Sequence, residues 1–224
     1  MHVLMVCSGN VCRSPMAEYM LRDALRRRGV SDIEGEGISV SSAGLLRLPP
    51  RPMDETCLNL LDESFDAADA GRSGIDASLH ESTPFYNTPY ARCAGTNVLV
   101  LCFEHDHIDE VLIENPSLVR STFLITEFAE LCLAAAKRGD FDRPATFGGD
   151  GIGDADAKDG ESTAIVADDA ASRLLTVMRN APFLRPGLTP AAGIPDPYHR
   201  SLNDYRNAYD AIRQCVNDIV SILP

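Results

Sequence analysis

The apolar run Val3-Leu4-Met5-Val6 passes into a helical pattern through a loop with a thiol, Cys7, at one end and a guanidinium, Arg13, at the other. A short continuous apolar run of this kind reads as a strand buried on both faces. The loop between, Ser8-Gly9-Asn10-Val11-Cys12, can wrap its N–H groups around a tetrahedral oxyanion. The first N–H groups of a helix are unpaired and sit at the positive end of its dipole, so the helix start attracts an anion. The same field favours the thiolate form of a cysteine. The strand–loop–helix unit therefore aims a sulfur nucleophile at an anion held in its own loop, and Ser8 to Ser14 are the candidate phosphate-binding residues.

Near the other end, Asp196-Pro197-Tyr198 precedes a helical pattern over 201–222. The block Cys7-x5-Arg13-Ser14-Pro15-Met16-Ala17-Glu18, taken with this late Asp-Pro-Tyr, resembles the low-molecular-weight protein tyrosine phosphatases. Ser41-Ser42-Ala43-Gly44 and Gly74-Ile75-Asp76-Ala77-Ser78-Leu79-His80 fit the same family. The resemblance covers 1–135 and 194–224. Residues 136–193 fall outside it and read as an insertion, before the acid loop, within a single domain spanning 1–224.

The rest of the chain agrees with an α/β fold. Residues 2–6, 38–42, 97–102 and 121–125 read as strands; 14–28, 54–64, 107–114, 126–137 and 201–222 read as helices. Strands alternating with helices predict a four-stranded parallel sheet with helices on both faces, and the phosphate-binding loop follows the first strand. In open sheets of this kind the ligand sits at the C-terminal ends of the strands, where Cys7 stands. Within the insertion, 139–161 is rich in Asp and Gly, has little to bury and is expected to be mobile, whereas 164–180 recovers an amphipathic helical pattern.

Composition narrows the partners. With 224 residues one domain is the default, and the net charge of −13 disfavours nucleic acid and anionic membrane. Such a chain must hold an anion by local donors. Its seven cysteines are odd in number and scattered, the first strand starts directly after Met1, and no apolar stretch reaches the ~18 residues of a membrane span. A reducing cytoplasm and no signal peptide are expected, with no metal and no cofactor.

The resemblance implies roles for individual residues. Cys7 is the nucleophile and forms a cysteinyl-phosphate, Arg13 clamps two phosphate oxygens, and Asp196 is the general acid and then base. Asn10, Ser14, Ser42 and His80 support the loop. Tyr198 forms one wall of a slot for an aryl phosphate, with Leu45 and Leu46 on the other side, where many members carry an aromatic residue. Cys12 can trap oxidised Cys7 as a reversible disulfide. The expected partner is a phosphotyrosine-containing protein, a bacterial tyrosine kinase among them.

Two other enzyme readings share the loop. Phosphatases acting on phosphoarginine carry Thr where this chain has Val11. A thiol-linked arsenate reductase needs a resolving cysteine pair, for which Cys93 and Cys102 are available, but Cys102 ends a strand. A phosphotyrosine-binding module without turnover would lack the thiol, the arginine or the acid, and all three are present. Glu104, His105, Asp106, His107 and Asp109 match no metal spacing and read as an exposed helix start. Residues 154–160 miss the register of a calcium loop. Pro49-Pro50-Arg51-Pro52 reads as a stiff entry into the second helix.

Overall fold

The computed structural model describes residues 1–31, 37–68, 76–94, 97–141 and 169–224. Four parallel strands, β1 (His2–Cys7), β2 (Ser39–Gly44), β3 (Val98–Cys102) and β4 (Thr122–Leu124), lie in the order β2-β1-β3-β4. The two central strands are the two most apolar: Val3 to Val6 and Val98 to Cys102 are all buried, as strands covered on both faces must be. The serine-rich β2 takes an edge. Its register pairs Cys7 with Gly44, so the loop after β1 emerges beside the end of β2.

Alternation along the strands divides the core. Val3, Met5, Leu99, Leu101 and Phe123 face one side, where α1 (Arg13–Arg27), α2 (Glu55–Ala68), α4 (Ile125–Arg138), α5 (Ala170–Leu184) and α6 (Leu202–Ser221) contribute buried residues. Leu4, Val6, Val98 and Val100 face the other side, covered by Val111 of α3 (His105–Glu114) and by short 3₁₀ turns that supply Phe85, Ala91 and Leu118. Helices cover both faces, as the sequence pattern implies.

Most boundaries differ from expectation by one or two residues. The third helix begins at His105 rather than at 107 because Glu104 and His107 close a capping box around its first turn. The extra helix begins at Ala170, capped by the Asp169 carboxylate accepting from the Ser172 N–H at 2.6 Å. It runs on to Leu184, burying Leu174, Val177 and Ala181. Residues 164–168, the Asp/Gly-rich stretch from 142 onward and Gly74-Ile75 lie outside the described residues. Among the described residues, no helix is long and apolar enough to cross a membrane.

Two glycines permit close approaches that shape the site. A Cβ on Gly44 would come 2.9 Å from the Gly9 carbonyl carbon and 3.0 Å from the Asn10 nitrogen. A Cβ on Gly193 would come 2.7 Å from the Phe103 oxygen, and there the Ile194 N–H donates to that same oxygen at 2.7 Å. The clash at Gly44 is with backbone, which cannot swing aside. Gly44→Ala is therefore expected to cost about 1–3 kcal/mol of stability, measured by denaturant unfolding, and to weaken inorganic phosphate binding by displacing the loop.

Candidate active site

Asn10 organises the loop between β1 and α1. It is fully buried and its φ of 53° lies in the left-handed region, which asparagine tolerates better than most residues. Its amide nitrogen donates to Ser14 Oγ at 3.0 Å and Ser42 Oγ at 2.8 Å, and its side-chain oxygen accepts from the Thr83 N–H at 2.8 Å. His80 Nε2 lies 2.8 Å from the Asn10 carbonyl oxygen; a carbonyl only accepts, so this nitrogen carries the proton. All four residues expected to support the loop, Asn10, Ser14, Ser42 and His80, thus meet in one network. Glu18 extends it, accepting from Ser42 Oγ at 2.6 Å. Burial pushes the Glu18 carboxyl up, against the opposing hydrogen bond from Ser42.

This network orients the groups around Cys7. Ser14 Oγ already accepts from Asn10 and lies 3.0 Å from Cys7 Sγ but 3.4 Å from the Ala43 oxygen. Its proton is best directed at the sulfur. The Asn10 N–H adds a second donor to Sγ at 3.3 Å.

Arg13 is 1% exposed. Its Nη1 donates to Glu104 Oε2 at 2.5 Å and to the Ile194 carbonyl at 2.8 Å. Its Nη2 lies 3.1 Å from Asp196 Oδ2 and donates to Ser8 Oγ at 3.4 Å. Asp196, 182 positions after Ser14 in the chain, is thus brought to the loop by the arginine. The segment that carries Asp196 is tied in through α6 as well. Tyr205 OH accepts from the His199 N–H and donates to Asp54 Oδ2, both at 3.3 Å, while the Asp54 N–H donates to the Val11 oxygen at 2.8 Å.

Cys7, Ser8, Gly9, Val11, Cys12, Leu46, Arg51, Asp196 and Tyr198 line one cleft of about 80 Å³. Leu46 reaches it because its N–H donates to the Ser8 oxygen at 2.9 Å, extending the β2 register along the loop. Leu45 does not line the cleft. One position earlier, it points to the opposite side and packs against the cluster of Leu4, Val6 and Ala43. Cys12 lies at the cleft with its thiol hydrogen-bonded to Cys57; that bond and burial push it up, well above the usual thiol range. All seven cysteines are free thiols.

Glu104 and His107 correct the reading of an exposed helix start. Glu104 follows β3, the strand next to β1, so its carboxylate lands at the same sheet edge as Arg13. His107 is 3% exposed. Its Nδ1 accepts from the Glu104 N–H at 3.2 Å, which leaves Nε2 as the donor to Ser8 Oγ at 2.9 Å. Glu104, His107, Glu18 and Arg51 carried no functional expectation. The topological rule that placed Cys7 at the strand ends also applies to the residues just after the third strand, of which Glu104 is the second.

A family model described as low molecular weight phosphotyrosine protein phosphatase matches residues 2–131. The chain belongs to this family. Low molecular weight protein-tyrosine-phosphatase PtpA of Staphylococcus aureus is 28% identical over 129 residues, which are 58% of this chain and 71% of PtpA. Among solved structures, a YwlE mutant from Bacillus subtilis aligns with a TM-score of 0.57 at 17% identity, covering 99% of this chain and 97% of that one. Vibrio vulnificus Wzb in complex with benzylphosphonate aligns at 0.53 and 19%, covering 96% and 94%. The YwlE arginine phosphatase from Geobacillus stearothermophilus aligns at 0.55 and 19%, covering 98% and 90%. These structures share the fold. The protein is a hydrolase of the protein tyrosine phosphatase class, and phosphoproteins are its substrates.

Burial, followed by the charge of Arg13, lowers the His107 pKa from 6.5 to about 4. The unfolded chain binds this proton below about 6.5 and the folded protein only near 4. Stability contributed by neutral His107 is therefore present above 6.5 and falls as pH drops through that window. The melting temperature of the wild type should fall between pH 7 and pH 4.5, and His107→Gln should show a shallower decline in the same thermal melts.

Proposed function

We propose that this protein hydrolyses phosphotyrosine in proteins through a cysteinyl-phosphate on Cys7. The supporting observation is convergence: Cys7 and Asp196 line one cleft, and Arg13 Nη2 stands 3.1 Å from the Asp196 carboxylate. A nucleophile, an anion clamp and a proton donor are thereby within reach of one phosphoryl group.

The Cys7 thiolate attacks phosphorus and the bond from phosphorus to the phenolic oxygen breaks. Asp196, protonated, gives its proton to that oxygen as it leaves. A water then enters, Asp196 takes its proton, and the hydroxide displaces the Cys7 thiolate from phosphorus. Ser14 O–H and the Asn10 N–H face Sγ, so they stabilise the sulfur as attacking and as leaving group. Arg13 matches the transferring group with a planar fork. The same guanidinium stands beside the Asp196 carboxylate, so a phosphoryl group held by the fork lies next to the proton donor.

Val11, Leu46 and Tyr198 give the cleft apolar lining, which suits an aryl ring. Cys12 at the cleft supports its role in trapping oxidised Cys7, and Cys57 behind it is a competing partner for that thiol.

The test is steady-state hydrolysis of phosphotyrosine, phosphoarginine and phosphoserine peptides near pH 6 with reductant. Turnover on phosphotyrosine alone is expected; preferential turnover on phosphoarginine would overturn the substrate assignment. Asp196→Ala should slow phenyl phosphate by about 10²–10⁴-fold and p-nitrophenyl phosphate much less, because the better leaving group needs less proton assistance. Equal losses on the two would remove Asp196 from the acid role.

A further inference from the structure

Among the described residues, two buried side-chain nitrogens have no hydrogen-bond partner, Arg13 Nε and Arg51 Nε. Buried polar groups are nearly always satisfied, so each exception needs an explanation. For Arg13 it is the phosphate loop, which the guanidinium serves. Arg51 lines the same cleft, and a Cβ on Gly9 would stand 3.6 Å from Arg51 Nη2. A second guanidinium thus rests against the phosphate loop. In a chain of net charge −13, where carboxylates are plentiful, none of the described residues forms an ion pair with it.

The backbone that carries Arg51 is held firmly. Its N–H donates to Ser82 Oγ at 2.9 Å, and its carbonyl accepts from the Ser82 N–H at 2.8 Å. Pro50 and Pro52 flank it, and Pro52 bridges to Glu81. Proline fixes φ on both sides, so little ordering remains to be done when a ligand binds. Arg13 is 1% exposed, whereas Arg51 is partly exposed. Arg51 therefore reaches from the cleft to its rim, where residues flanking a phosphorylated side chain would lie.

We propose that Arg51 is an anion-binding arm that reads a carboxylate adjacent to the phosphotyrosine of the substrate. The proposal rests on the phosphotyrosine reading above and deepens it. A strongly acidic protein repels acidic peptides at long range. A paired guanidinium–carboxylate contact at the rim reverses this locally and directionally. Arg51 thereby selects among phosphotyrosine sites by their acidic neighbours.

The experiment uses three phosphotyrosine peptides that are identical except for Glu, Ala or Lys beside the phosphotyrosine. Hydrolysis is measured at low ionic strength for the wild type, Arg51→Lys, Arg51→Gln and Arg51→Glu. The wild type should prefer the Glu peptide over the Ala peptide by about tenfold in kcat/KM, the size of one charge-assisted contact, with the difference in KM. Arg51→Gln should bring that ratio near one. Arg51→Glu should invert the order in favour of Lys, a reversal that loss of packing cannot produce. Arg51→Lys should keep the order at reduced amplitude.

No preference in the wild type would overturn the proposal. So would equal losses on all three peptides in Arg51→Gln and Arg51→Glu. If inhibition by inorganic phosphate weakened in parallel, Arg51 would instead belong to the transferring phosphoryl group. Calorimetric binding of the same peptides to Cys7→Ser reads the order without turnover. Failure of the wild type to hydrolyse any of the peptides would count against the phosphotyrosine reading, while the binding order would still decide the role of Arg51.

Discussion

A buried guanidinium holds the site together. Arg13 starts α1, Glu104 follows β3, and Ile194 and Asp196 arrive from the far end of the chain; all of them meet at one side chain that is 1% exposed. A cation this deeply placed is costly unless paired and hydrogen-bonded. The fold meets that requirement with two carboxylates and a carbonyl, and in doing so it fixes two distant segments relative to the Cys7 loop. The neighbouring close contacts follow from the same demand. Gly193 allows its segment to lie against Phe103, which brings the Ile194 carbonyl within reach of Arg13.

The net charge of −13 makes this local arrangement necessary. The whole-protein field does not attract a phosphoryl group, so attraction must come from donors aimed at short range, where geometry outweighs net charge. Neutral groups carry much of that aim. Ser14 is oriented by Asn10, and Ser8 accepts from His107, whose Nδ1 is committed to the Glu104 N–H. The sequence marked Ser8, Asn10 and Ser14 as loop residues and passed over His107. Their hydrogen-bond directions become defined only when every partner is in place.

The central strands were legible because Val3 to Val6 and Val98 to Cys102 are continuously apolar, a signal that burial on both faces requires. Asp-Pro-Tyr before a helix singled out Asp196 by matching a known pattern, and the tertiary structure places its carboxylate 3.1 Å from Arg13 Nη2. Leu45 and Leu46 could not be separated by composition. A one-residue step turns a side chain to the other face of an extended segment, and the cleft received Leu46 while the core received Leu45. His107 was misjudged because a histidine at a helix start looks exposed unless the neighbouring strand order is known.

The sequence by itself determined the strand–loop–helix that carries Cys7 and Arg13 and the alternation that demands a parallel sheet. These depend on spacing along the chain, and spacing is local. Only the tertiary structure decided that Glu104 pairs with Arg13, that His107 faces Ser8, and that Arg51 leans on the phosphate loop with its Nε unpartnered. Parallel crossovers bring these residues together from separate stretches of chain. Their proximity is therefore set by sheet order and helix packing, which no local pattern encodes.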